Sequence, residues 1–205
     1  MNYLKEKILQ GALKSLETVS MDKLKKIIRT SEEEKREHGL LFCGSTDIPP
    51  FENISHSELC TGERCNVEIK DCKGKKSIGS FHTHPRTKTG KYIGNLSGED
   101  IYESISHRHS FSCIGLVEND KPTIKCFIPA FDIDPIIALN TFKTQDNYNR
   151  KLSNVSKERP YVTQTSIDEL TKAYDERIEA DTELYMASKS LANKLLSKEA
   201  DLVVK

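Results

Sequence analysis

The first 36 residues alternate apolar and charged side chains with a helical period. Two apolar runs have this spacing, and they comprise Leu4, Ile8, Ala12 and Leu16, then Met21, Leu24, Ile27 and Ile28. Positions three and four residues apart share one face of an α-helix, so each run predicts a helix with one buried side. Ser20 and Asp22 open the second run, and both are residue types that cap helix N-termini.

From Glu37 onward the pattern changes to short apolar runs of strand length. Five such runs are bounded by turn-forming residues, and they are "HGLLFCG", "NVEIK", "SIGSFHTH", "FSCIGLVE" and "TIKCFIPA". Between the third and fourth runs, "SGEDIYESISHR" predicts a helix with Ser97 as its N-cap and Glu99 and Asp100 in its first turn. The middle of the chain therefore predicts a mixed α/β fold that ends near Ala130.

Beyond Pro135 the strand pattern disappears. "PIIALNTFKTQDNYNRKL" predicts one helix, and Ser166 with Glu169 forms a candidate capping box for a long helix through about Ser197. Asp181 interrupts the apolar stripe of that helix, which either packs on its own domain or pairs with a second copy as a homodimer through the C-terminal helices. We therefore divide the chain into a domain at 1–134 and a C-terminal helical extension at 135–205.

Charge and length narrow the classes of partner. The 205 residues include 31 Lys and Arg and 31 Asp and Glu, so the net charge is zero. A neutral chain has no overall basic field for nucleic acid or anionic lipid, so we expect neither as a partner. The N-terminus interleaves charges with apolar residues, unlike a signal peptide, and no run is long enough to span a membrane. The expected location is cytoplasmic.

His82 and His84 stand at alternate positions of the third apolar run. Alternate residues of a strand point to the same side of the sheet, so the two imidazoles project together and Thr83 faces the opposite side. Zinc takes histidine nitrogen ligands, and a third protein ligand leaves its fourth position open to water. Asp100, in the first turn of the following helix, is the candidate third ligand. Taken alone, an acid in a first helical turn also has a purely structural interpretation.

Two further side chains would complete a hydrolytic site. Ser97, at the same helix start, has a hydroxyl that could stabilise negative charge developing on an attacked carbonyl, although it could also serve only as a cap. Glu37 opens the apolar run "HGLLFCG", where a carboxylate could act as the general base. Its alternative role is a solvated end of the charged run "SEEEKRE".

Taken together, these elements resemble a known family signature. Glu37 ahead of "HGLLFCG", then "GSFHTHP", then "LSGEDI" is similar to the JAMM (MPN+) zinc metalloprotease motif, which includes deubiquitinase-like isopeptidases. The resemblance implies a cytidine-deaminase-like α/β fold with a mixed β-sheet flanked by helices. It implies His82, His84 and Asp100 as zinc ligands, Glu37 as general base and Ser97 as the oxyanion-stabilising hydroxyl. It also implies hydrolysis of peptide or isopeptide bonds, often after a ubiquitin-like modifier.

The resemblance covers about residues 36–130, and the sequence departs from it in two places. The stretch between Pro85 and Ser97 is longer than the family pattern, and its basic, glycine-containing part "RTKTGKYIGN" predicts a surface loop. Glu37 also stands closer to Gly39 than the family glutamate usually does to the equivalent glycine. Glu34 and Glu33 are therefore retained as alternative general bases.

A second cluster of potential metal ligands lies between the first and third apolar runs. It comprises His56, Cys60, Cys65 and Cys72. The spacing is looser than in paired zinc knuckles, so a structural metal, free thiols and a disulfide all remain open. The cytoplasmic expectation favours thiols over disulfides. Three further cysteines stand singly in apolar runs and predict small buried side chains, and they are Cys43, Cys113 and Cys126.

His107 and His109 form another pair at alternate positions, in "SHRHS". They lie at the predicted end of a helix among polar residues, so a solvated helix C-terminus is the interpretation that we adopt for them.

Three classes of function follow from these observations. The first is a zinc-dependent peptidase or isopeptidase whose partner is a protein or peptide, including a ubiquitin-like modifier. The second is a non-catalytic MPN-type interaction scaffold, against which the complete ligand set argues. The third is a zinc amidohydrolase acting on small peptide-like substrates.

Overall fold

The computed structural model describes residues 2–63, 67–87, 90, 94, 96–129, 133–157, 162–195 and 203–204. The helices with described bounds are α1 (Asn2–Val19), α2 (Met21–Glu34), α3 (Gly98–Ser106), α4 (Pro135–Lys157) and α5 (Gln164–Leu195). The strands are β1 (His38–Gly44), β2 (Ser55–His56), β3 (Cys60–Thr61), β4 (Lys76–Thr83), β5 (Phe111–Glu118), β6 (Lys121–Phe127) and β7 (Val203–Val204).

The strands form one mixed sheet in the order β2-β1-β4-β5-β6-β7, and β3 also pairs with β1. β4 and β5 run parallel and are joined by the crossover that contains α3. The other paired strands are antiparallel. This arrangement confirms the prediction of an α/β fold.

One face of the sheet is covered by α1 and α2. Phe42 of β1 and Phe81 of β4 belong to the same buried cluster as Leu24 and Ile28 of α2. The two layers meet closely at Gly115 of β5, where a Cβ atom would lie 2.6 Å from the Ile28 side chain. The apolar stripe of the predicted N-terminal helices therefore faces the sheet.

The opposite face carries α3, α4 and α5. Ile114 of β5 and Ile101 of α3 pack in a second cluster with Leu184 and Leu191 of α5. The long C-terminal helix thus buries part of its surface on its own chain. None of the described helices combines the length and apolar character needed to cross a bilayer.

Two predictions of local structure are wrong. "NVEIK" is not a strand, since residues 67–70 have no regular structure. The outer edge of β1 is paired with β2 and β3, and Val67 and Ile69 instead place their side chains against Gly39 of β1. Ser166 does not cap α5 either, because that helix begins at Gln164 and the Thr163 hydroxyl accepts a hydrogen bond from the Ser166 backbone N–H at 3.1 Å.

The cysteine predictions also need correction. Cys43 is bonded to Cys72, and Cys113 is bonded to Cys126, so these four are not free thiols. The second pair forms because the two residues lie directly opposite each other on β5 and β6. Such a cross-strand register cannot be deduced from spacing along the chain. The prediction that Cys43, Cys113 and Cys126 are buried is confirmed.

Candidate metal centre

The two histidines of "SFHTHP" converge at the end of β4. His82 pairs with Gly39 of β1 on one side and with Ile114 of β5 on the other. His84 follows the strand, and its backbone N–H donates to the Gly115 carbonyl at 2.8 Å. Both imidazoles are buried, and their Nε2 atoms lie 2.8 Å apart. The strand alternation therefore places the two nitrogens at one point, as predicted.

The opposite face of the same strand end is fixed by Thr83. Its hydroxyl donates to the Ser31 hydroxyl at 2.7 Å and accepts from the His38 backbone N–H at 2.9 Å. Thr83 is buried beneath these contacts with α2 and β1. Because Thr83 lies between the two histidines, its hydrogen bonds restrict the backbone that carries both imidazoles.

Asp100 approaches the histidines from the first turn of α3. Its Oδ1 lies 3.2 Å from His82 Nε2, and its Oδ2 lies 3.6 Å from His84 Nε2. The helix start is held by a capping box in which the Ser97 hydroxyl accepts from the Asp100 N–H at 3.1 Å and Asp100 Oδ2 accepts from the Ser97 N–H at 2.7 Å. The cap thus also orients the carboxylate.

These three residues could hold a metal ion. One ligand atom from each lies within 4.8 Å of the others, and this is the set of three potential ligands found among the described residues. Two imidazole nitrogens at 2.8 Å need a proton or a cation between them, because their lone pairs would otherwise repel each other. Two nitrogens and a carboxylate are a donor set that suits several divalent metals, including zinc.

The charge on Asp100 is strongly favoured. Burial alone would raise the pKa of this carboxyl, but the attraction of His82 and the hydrogen bonds with His82 and His84 outweigh burial. They hold the pKa of Asp100 well below its usual range. The centre therefore contains a permanent negative charge opposite the two imidazoles.

Glu37 lies immediately before β1 and lines the same cavity as the three candidate ligands. Its backbone is fixed to the chain just after β3, since its N–H donates to the Glu63 carbonyl at 2.7 Å and its carbonyl accepts from the Gly62 N–H at 2.8 Å. Burial raises the pKa of its carboxyl to about 7, while nearby His84 opposes the rise and Asp100 adds to it. A carboxyl with this pKa can exchange a proton near neutral pH.

The two alternative glutamates lie elsewhere. Glu33 and Glu34 are exposed at the end of α2, and neither lines the cavity. Glu34 Oε2 instead lies 3.4 Å from the Nε2 atom of His38. Among the three candidates for general base, Glu37 is the one that the fold brings to the metal centre.

Ser97 lines the cavity beside Asp100. Its oxygen accepts the capping hydrogen bond described above, and this interaction leaves the hydroxyl proton available to a substrate oxygen. The capping role and the oxyanion role are therefore compatible in a single side chain.

The cavity that contains these residues has a volume of about 1100 Å³. Its floor is formed by β1, β4 and β5, and three buried hydroxyls link this floor to α3. The Oγ atom of Ser112 on β5 lies 2.6 Å from that of Ser80 on β4 and 2.7 Å from that of Ser104 on α3. This network was not predicted from the sequence, although two serines inside apolar strands were a usable signal, because buried hydroxyls require partners.

One wall of the cavity is formed by α3, and another part of the lining comes from a coil segment with the side chains of Val67, Glu68, Ile69 and Asp71. The longer loop after Pro85 starts at this cavity, since Thr87 also lines it. Most of "RTKTGKYIGN", from which we predicted a surface loop, lies outside the described residues, at positions 88–89, 91–93 and 95.

The second histidine pair differs from our prediction. His107 is exposed and lies 3.0 Å from Glu103, as expected at a helix end. His109 is instead buried and 8% exposed, with its Nε2 atom 2.8 Å from the Ser77 hydroxyl. Burial, and then the charge of His107, lowers the pKa of His109 to about 4. Both histidines also line the cavity, and Arg108 between them has a left-handed backbone with φ 58°.

Among the described residues, His56, Cys60 and Cys72 of the predicted cysteine-rich site do not form a group of potential metal ligands. Cys72 is bonded to Cys43, and the His56 Nδ1 atom contacts the Ser57 carbonyl at 2.8 Å. Cys60 is a free, half-buried thiol on β3. Cys65, the fourth candidate, lies outside the described residues.

Comparisons with known proteins add no assignment. No known family matches the chain, and no curated protein matches it either.

Proposed function

We propose that the chain is a zinc-dependent hydrolase of peptide or isopeptide bonds that works like the JAMM metalloproteases. The observation that supports this proposal most is the convergence of His82, His84 and Asp100 in a cavity that also contains Glu37. The three ligands alone would suit a structural metal, but a partly buried carboxyl with a pKa of about 7 in the same cavity suits proton transfer. The finer fold that we propose is the cytidine-deaminase-like core of that family.

The donor set fits zinc. His82 and His84 would provide two nitrogen ligands and Asp100 one oxygen ligand, which leaves a coordination position for water or substrate, as in catalytic zinc sites. When bound, the ion supplies Lewis acidity, which lowers the pKa of water and polarises a carbonyl group.

The remaining chemistry is done by side chains of this chain. Glu37, as the carboxylate, accepts a proton from the attacking water and then delivers it to the nitrogen of the leaving amine. Ser97 donates its hydroxyl proton in a hydrogen bond to the oxygen of the attacked carbonyl as negative charge develops there. The capping box keeps this hydroxyl at the helix start, where the α3 dipole also favours negative charge.

The substrate that we propose is an extended polypeptide. A cavity of about 1100 Å³ is at the upper end of the range for small-ligand pockets, and it is lined by a helix and by a coil segment. A protein tail, such as the C-terminus of a ubiquitin-like modifier, could lie along it. We propose such a modifier, or a peptide, as the partner.

The test is the variant Glu37→Gln, which keeps the shape of the side chain but removes the base. We expect it to retain the metal of the wild type and to lose roughly 10²–10⁴-fold in turnover of a peptide or modifier-linked substrate. Glu34→Gln is the matched control, since that exposed residue does not line the cavity, and its turnover should equal the wild type's. If Glu37→Gln retains wild-type turnover, Glu37 is not the base.

The same assays separate the other two classes of function. A scaffold would show no metal-dependent turnover on any of the substrates. An amidohydrolase for small molecules would act on short peptides but not on modifier-linked proteins.

A further inference from the structure

Residues 67–72 form a coil segment that lines the cavity and is attached to β1 by side-chain packing and a disulfide. We call it the wall segment; four of its side chains line the cavity, and they are Val67, Glu68, Ile69 and Asp71. The segment has no regular secondary structure, so it lacks the hydrogen-bond ladder that holds the floor strands. Among the described residues, its contacts with β1 are made by side chains.

Those contacts come from one face of β1. Gly39, Leu41 and Cys43 are alternate residues of that strand and share a side of the sheet. Gly39 leaves room for the wall, because a Cβ atom there would lie 2.7 Å from Ile69 and 2.9 Å from Val67.

Further along the same face, Leu41 and Cys43 form a small buried cluster with Cys72, and Ile69 packs against it. The third of these β1 residues, Cys43, is linked covalently to the wall segment. It forms a disulfide with Cys72, and the two Cα atoms are 5.6 Å apart. The disulfide therefore secures the end of the wall segment to the strand that begins next to Glu37.

We propose that the Cys43–Cys72 disulfide is a positioning element for substrate binding, which fixes the wall segment at the spacing that the substrate chain requires. This inference rests on the proposed function. Reduction to two thiols leaves the segment held by the packing of Val67 and Ile69 and by the Lys70–Glu58 ion pair. That ion pair is exposed on both sides and contributes little. The reduced protein keeps its metal ligands and base but loses a fixed groove.

The second disulfide provides a matched control. Cys113 and Cys126 face each other near one end of the β5–β6 ladder, which has further residue pairs on both sides of them. Neither residue lines the cavity. Removing this bond leaves the strands paired through their backbones, so the cavity should be unaffected.

The first measurement concerns the bond itself. Alkylation followed by peptide mass spectrometry should leave Cys43 and Cys72 unlabelled in protein purified without reductant. Both should be labelled after dithiothreitol, which transfers two electrons and two protons to the disulfide and becomes a cyclic disulfide itself. Labelling of these two residues before reduction would overturn the proposal.

The decisive comparison uses two double variants, Cys43→Ala with Cys72→Ala and Cys113→Ala with Cys126→Ala. Amide hydrogen exchange in the wall segment should accelerate about tenfold or more in the first and stay unchanged in the second. The peptides that contain His82 and His84 should exchange at wild-type rates in the first variant. If the wall segment exchanges alike in both variants, the positioning role is wrong.

Kinetics test the link to the substrate. The first variant should raise KM about tenfold with kcat changed less than twofold, because the wall contributes to binding and not to the chemical step. Equal loss in kcat would overturn the positioning role. Should the first variant fail to fold, the second variant, which has only the Cys43–Cys72 disulfide, is compared before and after reduction by a phosphine, which unlike a dithiol does not chelate zinc; its exchange and kinetics then report on that bond alone. Absence of hydrolysis by the oxidised wild type would reject the proposed function, while the exchange result still decides whether the disulfide positions the wall.

Discussion

The chain contains two histidine pairs with the same spacing, and both pairs line the same cavity but have different partners. His82 and His84 end a strand, so their rings lie on one side of the sheet and their Nε2 atoms meet at 2.8 Å. His107 and His109 span the end of α3, and each ring has a different partner, Glu103 for the first and Ser77 for the second. Identical spacing therefore produces one site that could hold a metal and one that serves the fold.

The two histidine pairs differ in whether a third potential metal ligand lies near both rings. Asp100 approaches both rings of the first pair from the start of α3, and its negative charge is stabilised by them. The second pair lies at the other end of the same short helix, and Glu103 contacts only the exposed ring. A histidine-x-histidine motif thus indicates a metal site only where the fold brings a further ligand to both nitrogens.

The largest effect that we expect is on metal affinity. His82→Ala removes one of three protein ligands and should weaken zinc binding by about 100-fold or more. His109→Ala is the control from the second pair and should leave zinc affinity within about twofold. Zinc titration against a competing chelator measures both. Equal losses in the two variants would mean that the first pair is not the metal site.

The next effect concerns the two ends of α3. Ser97→Ala removes the N-cap and the proposed oxyanion donor, so turnover should fall by about 10²-fold and the unfolding free energy by about 1 kcal/mol. Ser97→Asp keeps a good capping residue but has no hydrogen-bond donor when ionised, so it should restore stability without restoring turnover. Chemical denaturation and steady-state kinetics check the two variants. If Ser97→Asp recovers both properties, the serine acts only as a cap.

A smaller effect is expected from His109 of the second pair, on the stability of the protein at acid pH. Burial and the neighbouring His107 lower the pKa of His109 to about 4 from an ordinary value of 6.5. Between these values the unfolded chain binds more protons than the folded one. The stability that neutral His109 contributes is therefore present above pH 6.5 and is lost as the pH falls towards 4.

Metal-free wild-type protein should lose free energy of unfolding as the pH falls from 7 to 4.5, and we expect this loss to be about 2 kcal/mol smaller in His109→Gln. Urea unfolding at pH 7 and pH 4.5 measures it. Parallel losses in the wild type and the variant would show that His109 is not the acid-sensitive group.

The smallest expected effect concerns Glu37, which lines the cavity beside the first pair. It makes stability fall as the pH rises, which is opposite to the effect of His109. Burial raises the pKa of Glu37 to about 7 from 4.5, so the folded protein holds a proton that the unfolded chain has released. Metal-free protein should therefore lose stability as the pH rises from about 4.5 to 7. Because Glu37 is only partly buried, solvent screens part of this effect, and we expect about 1 kcal/mol.

Glu37→Gln should remove this pH dependence and should be the more stable protein at pH 8. Urea unfolding at pH 5 and pH 8 provides the comparison. A bound cation favours the carboxylate, so added zinc should reduce the difference between the wild type and the variant. A variant that is no more stable than the wild type at pH 8 would contradict the raised pKa.

Most of the correct predictions of secondary structure and of the metal site came from patterns among residues close in sequence. The period of the apolar residues identified β1, β4, β5 and α3, and the alternation along β4 placed His82 beside His84. What was missed depends on contacts between distant parts of the chain. Cys72 reaches Cys43 across 29 residues, and His109 becomes buried because its ring meets Ser77 of β4. Neither the occupied edge of β1 nor these pairings leaves a local pattern in the sequence.

The central claim is a zinc site built from histidine and aspartate, with no cysteine. Elemental analysis combined with zinc-edge X-ray absorption on freshly purified protein tests it most directly. We predict about one zinc per chain with nitrogen and oxygen neighbours at about 2.0–2.1 Å. Absence of zinc, or a shell of sulfur neighbours at about 2.3 Å, would contradict the account.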